Sequence, residues 1–408
     1  MRLLHTSDWH LGARSGSVSR VEDHERFLAW LLDRLAAREI DALVVAGDVF
    51  DHPQPSAEAQ RQYYRFLGAA ARTGVRDIVV VGGNHDSASR LDAPAEVLAS
   101  LDVHVVGGLP SPASGCLVPL RTRGSEAVAA VCVAVPYVHE YRLGVRTTDP
   151  DGNAVRAAFR DAFSALYTSL VDEAARRWPG VPVVATGHLT VGREAIAADA
   201  PQAIHQVGRI EALPVDLLDS RLAYVALGHI HRSGPVSPRA WYSGSPIALS
   251  VRESATPRRV VEVELGHDVR ITPVDLPVIR ENLAFSGSRA EILSALSALT
   301  SPGELPPLLQ VRVVDDPDPL TFPAAVDSVL AAFPEPRRPI LIGQESRRSG
   351  AGAVDAPTVE LSSLGPSGVL AWMAQGHPQA DAMIAAIAEI EALDDAAFEA
   401  RLAELEGA

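Results

Sequence analysis

The chain has 408 residues, 47% of them apolar, with 36 basic against 51 acidic side chains and a formal charge of −15. That much apolar material builds a sizeable core and excludes a disordered chain, and the length predicts two or three domains. Every basic residue is arginine, which excludes lysine nucleophiles, Schiff bases and a Walker-type phosphate lysine.

In chain order, short apolar runs alternate with amphipathic stretches: strand 2–5, helix 21–38, strand 42–46, helix 57–72, strand 77–81. This is an α/β pattern. Further strands are expected at 128–133, 181–186, 222–227 and 260–265, with a long helix at 154–177, which together suggest one large sheet with helices on both faces. After Pro273 a second α/β unit is expected, with strands at 280–285, 308–314 and 339–343 and helices at 289–299 and 323–333. A polar segment with Gly350, Gly352 and Pro357 reads as a linker, and three short amphipathic helices should follow it.

Cys116 and Cys132 are too few for a disulfide framework and form no C-x-x-C pattern, so a reducing, cytoplasmic setting is expected. The N-terminus lacks the apolar stretch of a signal peptide, and the longest apolar run, Ala127–Val138, is too short to span a bilayer. The negative charge at first argues against a nucleic-acid partner. Its distribution argues otherwise: residues 351–408 carry one arginine against ten acidic residues, whereas residues 1–250 carry 24 against 27.

Five polar clusters sit where strand-like runs end: Asp8-Trp9-His10, Gly47-Asp48, Gly83-Asn84-His85-Asp86, Gly187-His188 and Gly228-His229-Ile230-His231. In α/β sheets the carboxyl ends of the strands form the ligand site, so these clusters are expected to converge. Residues two apart in extended backbone share a side, so Asp8 with His10, and His229 with His231, each offer a pair of ligands. Seven candidates (Asp8, His10, Asp48, Asn84, His188, His229 and His231) are too many for one ion and suit two.

The order Asp-x-His, Gly-Asp-x-x-Asp, Gly-Asn-His-Asp, Gly-His, Gly-His-x-His resembles the calcineurin-like metallophosphoesterase superfamily. More narrowly, the stretches His5–Gly12, Gly47–Asp51, Gly187–Thr190, Ala226–Arg232 and Tyr242–Ile247 are similar to the nuclease subunits of bacterial SbcCD DNA-repair complexes. The resemblance implies a four-layer α/β sandwich in place of the single large sheet. It divides the chain into a nuclease core at 1–273, a small α/β capping domain that contacts DNA at 274–344, a linker at 345–363 and C-terminal helices at 364–408 that dock on the SbcC coiled coil. The apolar positions Val369, Leu370, Trp372, Met373, Met383, Ile384, Ile387 and Ile390 suit such a partner and equally suit packing on their own chain.

By the same resemblance, Asp8, His10 and His231 hold one divalent ion, Asn84, His188 and His229 a second, and Asp48 bridges both; manganese is expected, with magnesium the alternative. A bridging carboxylate agrees with the physics, since it offers two anionic oxygens to two cations about 3.5–4 Å apart. His85 is expected to stabilise the transition state or protonate the leaving group. Asp86 is grouped with it as catalytic, and Asp86 and Asp51 are expected to orient their neighbours in preference to binding metal. The implied reaction is in-line hydrolysis of DNA without a covalent enzyme intermediate, as a 3′-to-5′ exonuclease and a single-strand or hairpin endonuclease, within a homodimer bound to SbcC. Arg14, Arg20, His52, Arg90 and Arg232 are candidate DNA contacts, while His24, His104, His139 and His205 match no motif. The alternatives are a small-molecule phosphodiesterase or protein phosphatase on the same core, and a DNA-end-binding scaffold without catalysis.

Overall fold

Runs of valine, leucine, isoleucine and alanine at Arg2–Thr6, Ala42–Ala46 and Asp77–Val81 pair in parallel, and almost every position in them is buried. Strands apolar on both sides must be covered on both faces. The structure, a computed structural model, describes residues 1–145, 152–192, 213–301, 303–318, 321–347 and 385.

The strands are β1 (Arg2–Thr6), β2 (Arg14–Ser15), β3 (Val18–Ser19), β4 (Ala42–Ala46), β5 (Asp77–Val81), β6 (Val103–Val106), β7 (Leu117–Arg121), β8 (Val128–Val133) and β9 (Val183–His188). They continue as β10 (Tyr224–Gly228), β11 (Gly234–Ser237), β12 (Ala240–Tyr242), β13 (Arg259–Leu265), β14 (Val269–Asp275), β15 (Asn282–Gly287), β16 (Leu308–Val314) and β17 (Ile340–Arg347). The helices are α1 (Val21–Ala37), α2 (Ala57–Ala70), α3 (Ala88–Asp92), α4 (Ala95–Ala99), α5 (Gly152–Arg177), α6 (Arg289–Ser297) and α7 (Phe322–Ala331).

Two six-stranded sheets form the core, in the orders β14-β13-β1-β4-β5-β6 and β11-β12-β10-β9-β8-β7. Alternation of side chains along each strand divides the interior. Leu3, Val44, Ala46, Val79 and Val81 pack in one cluster with Val131, Val133, Ala185 and Val225 of the second sheet, where Phe163, Tyr167 and Leu170 of α5 also lie. Their neighbours Leu4, Leu43, Val45, Ile78 and Val80 pack instead with Phe27 and Leu31 of α1 and Tyr63 and Phe66 of α2. The layers are therefore helices, sheet, sheet and helix, which is the four-layer sandwich. The single large sheet suggested by periodicity is corrected, because a strand apolar on both faces does not reveal whether a helix or another sheet covers it.

A separate three-stranded sheet, β15-β16-β17, carries α6 and α7 around a small core of Ile292, Leu296, Leu309, Val311, Phe322 and Val326. Ser288 and Glu291 close a reciprocal cap at the start of α6. Two expected boundaries shift: β14 runs to Asp275, past 273, and β17 runs to Arg347, into the segment expected as linker. The chain divides into two units, Met1–Ser346 and Arg347–Ala408. The helices expected at 364–408 lie outside the described residues apart from position 385. No helix among the described residues is long and apolar enough to cross a membrane.

Candidate metal centre

Parallel pairing of β1, β4 and β5, and of β9 and β10, aligns their carboxyl ends, and all five polar clusters lie at or just past those ends. The loops are tied by backbone bonds: Asp8 N–H donates to Gly47 O at 2.9 Å and His10 N–H to Asp48 O at 3.0 Å. Asp8, His10, Asp48 and His229 have φ of 53°, 49°, 49° and 92°, a region L-residues avoid. Four such residues in one site mark backbone held in place by its surroundings. Gly83 is required by close approach, since a Cβ there would lie 2.1 Å from Asp48 Oδ1. At Gly228 a Cβ would lie 2.0 Å from Ala46 O.

The structure brings all seven candidate ligands together. His10 Nε2 and His231 Nε2 approach to 3.1 Å, and ligand atoms of Asp8, His10 and His231 all fall within 4.8 Å of one another. On the other side Asn84 Oδ1 lies 3.0 Å from both His188 Nε2 and His229 Nδ1. Asp48 Oδ2 stands between these groups, 3.2 Å from His188 Nε2 and 3.7 Å from His10 Nε2.

Electrostatics follow from burial beside carboxylates. Burial opposes the charge on His188, but Asp48 and Asp8 raise its pKa to about 9. Burial likewise opposes the charge on His231, which Glu253, Asp8 and Asp48 raise to about 9. Burial and His188 lower His229 to about 3. Burial also opposes ionisation of Asp48, yet His188, His10 and His85 hold it well below the usual carboxylate range. Buried carboxylates that draw protons onto adjacent imidazoles form a cation-seeking cavity. A mixed oxygen and nitrogen donor set without thiolate fits hard to borderline divalent ions such as manganese or magnesium.

Other groups orient these ligands. His188 Nδ1 lies 2.9 Å from Ala46 O, and His231 Nδ1 lies 3.3 Å from Glu253 Oε1. Asp51 Oδ1 lies 3.2 Å from His10 Nδ1. Ser7 Oγ donates to Asp8 and is 2.7 Å from Ser243 Oγ. The orienting roles of Glu253, Ser7 and Ser243 emerge only from the structure; Glu253 follows His231 by 22 residues with no motif to mark it.

His85 is placed differently from the ligands. Its N–H donates to Asp48 Oδ1 at 2.8 Å, its Nδ1 lies 2.9 Å from Asp51 O, and its ring meets that of His10 edge-on at 4.8 Å. Asp86 is corrected from the catalytic group. Its oxygens accept N–H bonds from Val49 at 3.0 Å, Phe50 at 2.9 Å and Gly83 at 2.9 Å, so it ties the Asp48 and Asn84 loops together. Burial and then Asp48 push its pKa up to about 6.

Arg20 is corrected as a DNA contact. It is 1% exposed, and donates to Asp23 Oδ1 at 2.7 Å, Ala248 O at 2.7 Å and Ser15 Oγ at 3.0 Å. Arg14, His52, Arg90 and Arg232 are exposed; His52 Nε2 lies 3.2 Å from Asp51 Oδ2. Of the histidines without a motif, His24 lies 2.8 Å from Trp9 O and His104 lies 3.1 Å from Asp77, so both are structural. His139 is exposed, and His205 lies outside the described residues.

Residues 1–233 match the calcineurin-like phosphoesterase family. The chain is 37% identical over 388 residues to the SbcD subunit of nuclease SbcCD from Rhodobacter capsulatus, covering 91% of this chain and 94% of that protein. It is 32% identical over 324 residues to the corresponding SbcCD nuclease subunit of Escherichia coli K12, 78% of each chain. Against that of Bacillus subtilis it is 32% identical over 272 residues, 65% of this chain and 66% of that one.

Proposed function

The chain belongs to the calcineurin-like phosphoesterase family and, within it, to the SbcD subunits of SbcCD nucleases, and from that membership we propose how it cuts DNA. The reaction is hydrolysis of a DNA phosphodiester at a centre of two divalent ions. Asp8, His10 and His231 would hold one ion and Asn84, His188 and His229 the other, with the Asp48 carboxylate available to both. The carrying observation is the place of Asp48 Oδ2, 3.2 Å from His188 Nε2 and 3.7 Å from His10 Nε2.

When bound, the ions supply Lewis-acid polarisation of the phosphate and activation of water. The chain's residues do the rest. Asp86 fixes the two loops, Glu253 and Asp51 orient His231 and His10, and the buried carboxylates supply the negative field that retains cations. His85 stands beside the ligands without joining them, in position to donate a proton or hydrogen bond to the leaving oxygen.

Manganese is the proposed ion. An SbcC ATPase subunit is the proposed partner, within a dimer of nuclease subunits in the cytoplasm. Residues 274–344 cap the active site against DNA, and 364–408 bind SbcC. Incubating the purified chain and Asp48→Ala with manganese and, separately, duplex DNA, hairpin DNA, a cyclic nucleotide and a phosphopeptide tests this reading. Asp48-dependent cleavage of DNA is expected; cleavage of only the cyclic nucleotide or only the phosphopeptide would replace it with the corresponding phosphodiesterase or phosphatase reading.

A further inference from the structure

A row of aromatic rings leaves the metal centre and ends in solvent. The Tyr137 ring lies 6.3 Å from that of His188, nearly perpendicular to it. Tyr137 in turn meets His139 edge-on at 4.9 Å, and His139 stacks on Tyr141 at 5.5 Å with the planes 19° apart. The row is anchored at its inner end, because Tyr137 N–H donates to Gly82 O at 2.8 Å, immediately before the Gly83-Asn84 loop. Its outer end is open: Tyr141 is 71% exposed and His139 is also exposed.

Leaving a large aromatic ring in water forgoes burial worth about 25 cal/mol per Å². A tyrosine so exposed, stiffened by a stacked histidine and joined ring by ring to the candidate centre, is built to receive a flat partner. Every nucleobase offers a π-face, and base–aromatic stacking is the sequence-tolerant way to hold a single strand. Arg142, exposed and next in the chain, adds positive charge suited to the strand's phosphates.

We infer that His139 and Tyr141 form a stacking platform for an unpaired nucleobase of the DNA strand, on the His188 side of the metal centre. This assignment rests on the nuclease reading for its substrate, and its test separates the two. The probe is a single-stranded oligonucleotide carrying 2-aminopurine, whose fluorescence is quenched on stacking, and a matched oligonucleotide with abasic positions. Both are titrated without divalent metal against the full chain, Tyr141→Ala and Tyr141→Trp, while cleavage with manganese is assayed separately.

Tyr141→Ala should bind the base-bearing strand roughly tenfold more weakly, about the scale of one lost stack, and should lose most of the quenching. Tyr141→Trp should retain both, and binding of the abasic strand should not change in either variant. Equal binding and quenching by Tyr141→Ala, or an equal loss on the abasic strand, overturns the platform. Absence of manganese-dependent cleavage in the unsubstituted chain overturns the nuclease reading, and leaves the fluorescence result to decide the platform by itself.

Discussion

Arg280 Nε donates to both carboxylate oxygens of Asp23, at 3.0 Å each, across 257 residues of sequence. The contact joins α1 of the core to the segment that leads into β15. Arg20 holds the same carboxylate at 2.7 Å, and all three side chains are buried. One residue further along, His24 reaches Trp9 O, between Asp8 and His10. The first turn of α1 therefore links the Asp8–His10 loop to the segment that enters the three-stranded sheet.

Asp23→Ala leaves two buried guanidinium groups without their shared carboxylate. Removing one partner of a buried charge network costs about 3–5 kcal/mol, so the urea midpoint should fall sharply. An unchanged midpoint would show that water or other groups replace the carboxylate.

Asp48→Ala should bind manganese far more weakly, by isothermal titration calorimetry, and lose DNA cleavage by roughly three orders of magnitude, the effect of several kcal/mol of lost charge stabilisation. Its far-ultraviolet circular dichroism should match the unsubstituted chain.

His85→Gln separates turnover from metal binding. Manganese affinity should stay within about twofold while kcat falls roughly a hundredfold, the usual scale for a positioned acid or base. Loss of manganese binding would make His85 a ligand.

Gly83→Ala tests the close approach around Asp48. The added methyl would meet Asp48 Oδ1 at 2.1 Å and its N at 2.3 Å, and Asp86 holds the Asp48 loop through Val49 and Phe50 N–H while binding Gly83 N–H itself, so neither loop can move away from the other. Activity should fall by at least about tenfold, an order-of-magnitude scale for misplaced catalytic geometry. Gly124→Ala, at φ of 72° with nothing within 4 Å, should leave activity unchanged.

Two buried histidines, His5 and His24, make the fold lose stability as the pH drops below 6.5, against the opposite contribution of His188 and His231, which the carboxylates raise to about 9. Burial lowers His5 to about 3 and His24 to about 4 from an ordinary value of 6.5. Between those values the unfolded chain takes up protons that the fold refuses, so acid favours unfolding. By pH 5.5 each contributes on the order of 1 kcal/mol of lost stability. Comparing urea midpoints at pH 7.5 and 5.5 should show a smaller loss in His24→Gln than in the unsubstituted chain.

The donor chemistry and its placement are local properties of the chain. A strand ending in Gly-His or followed by Asp-x-His carries its ligands wherever the strand goes, and parallel pairing then brings β1, β4, β5, β9 and β10 to one edge. Most core strands can be read for the same local reason. β14 cannot, because it is an edge strand with mainly exposed side chains and Pro273 interrupts its short alternation; β6, with four residues, is too short.

What depends on long-range neighbours needed the folded molecule. Arginine at position 20 reads as a surface cation until Asp23 and Ala248 are found beside it. Asp86 reads as an acid beside His85 that orients its neighbours, and only the fold shows which ones: the backbone N–H groups of Val49, Phe50 and Gly83. Glu253 becomes an orienting group for His231, and Tyr137 the start of an aromatic row, only where distant loops meet. A side chain's type and local spacing are written in the chain; its burial and its partners depend on which surfaces the two sheets bring together.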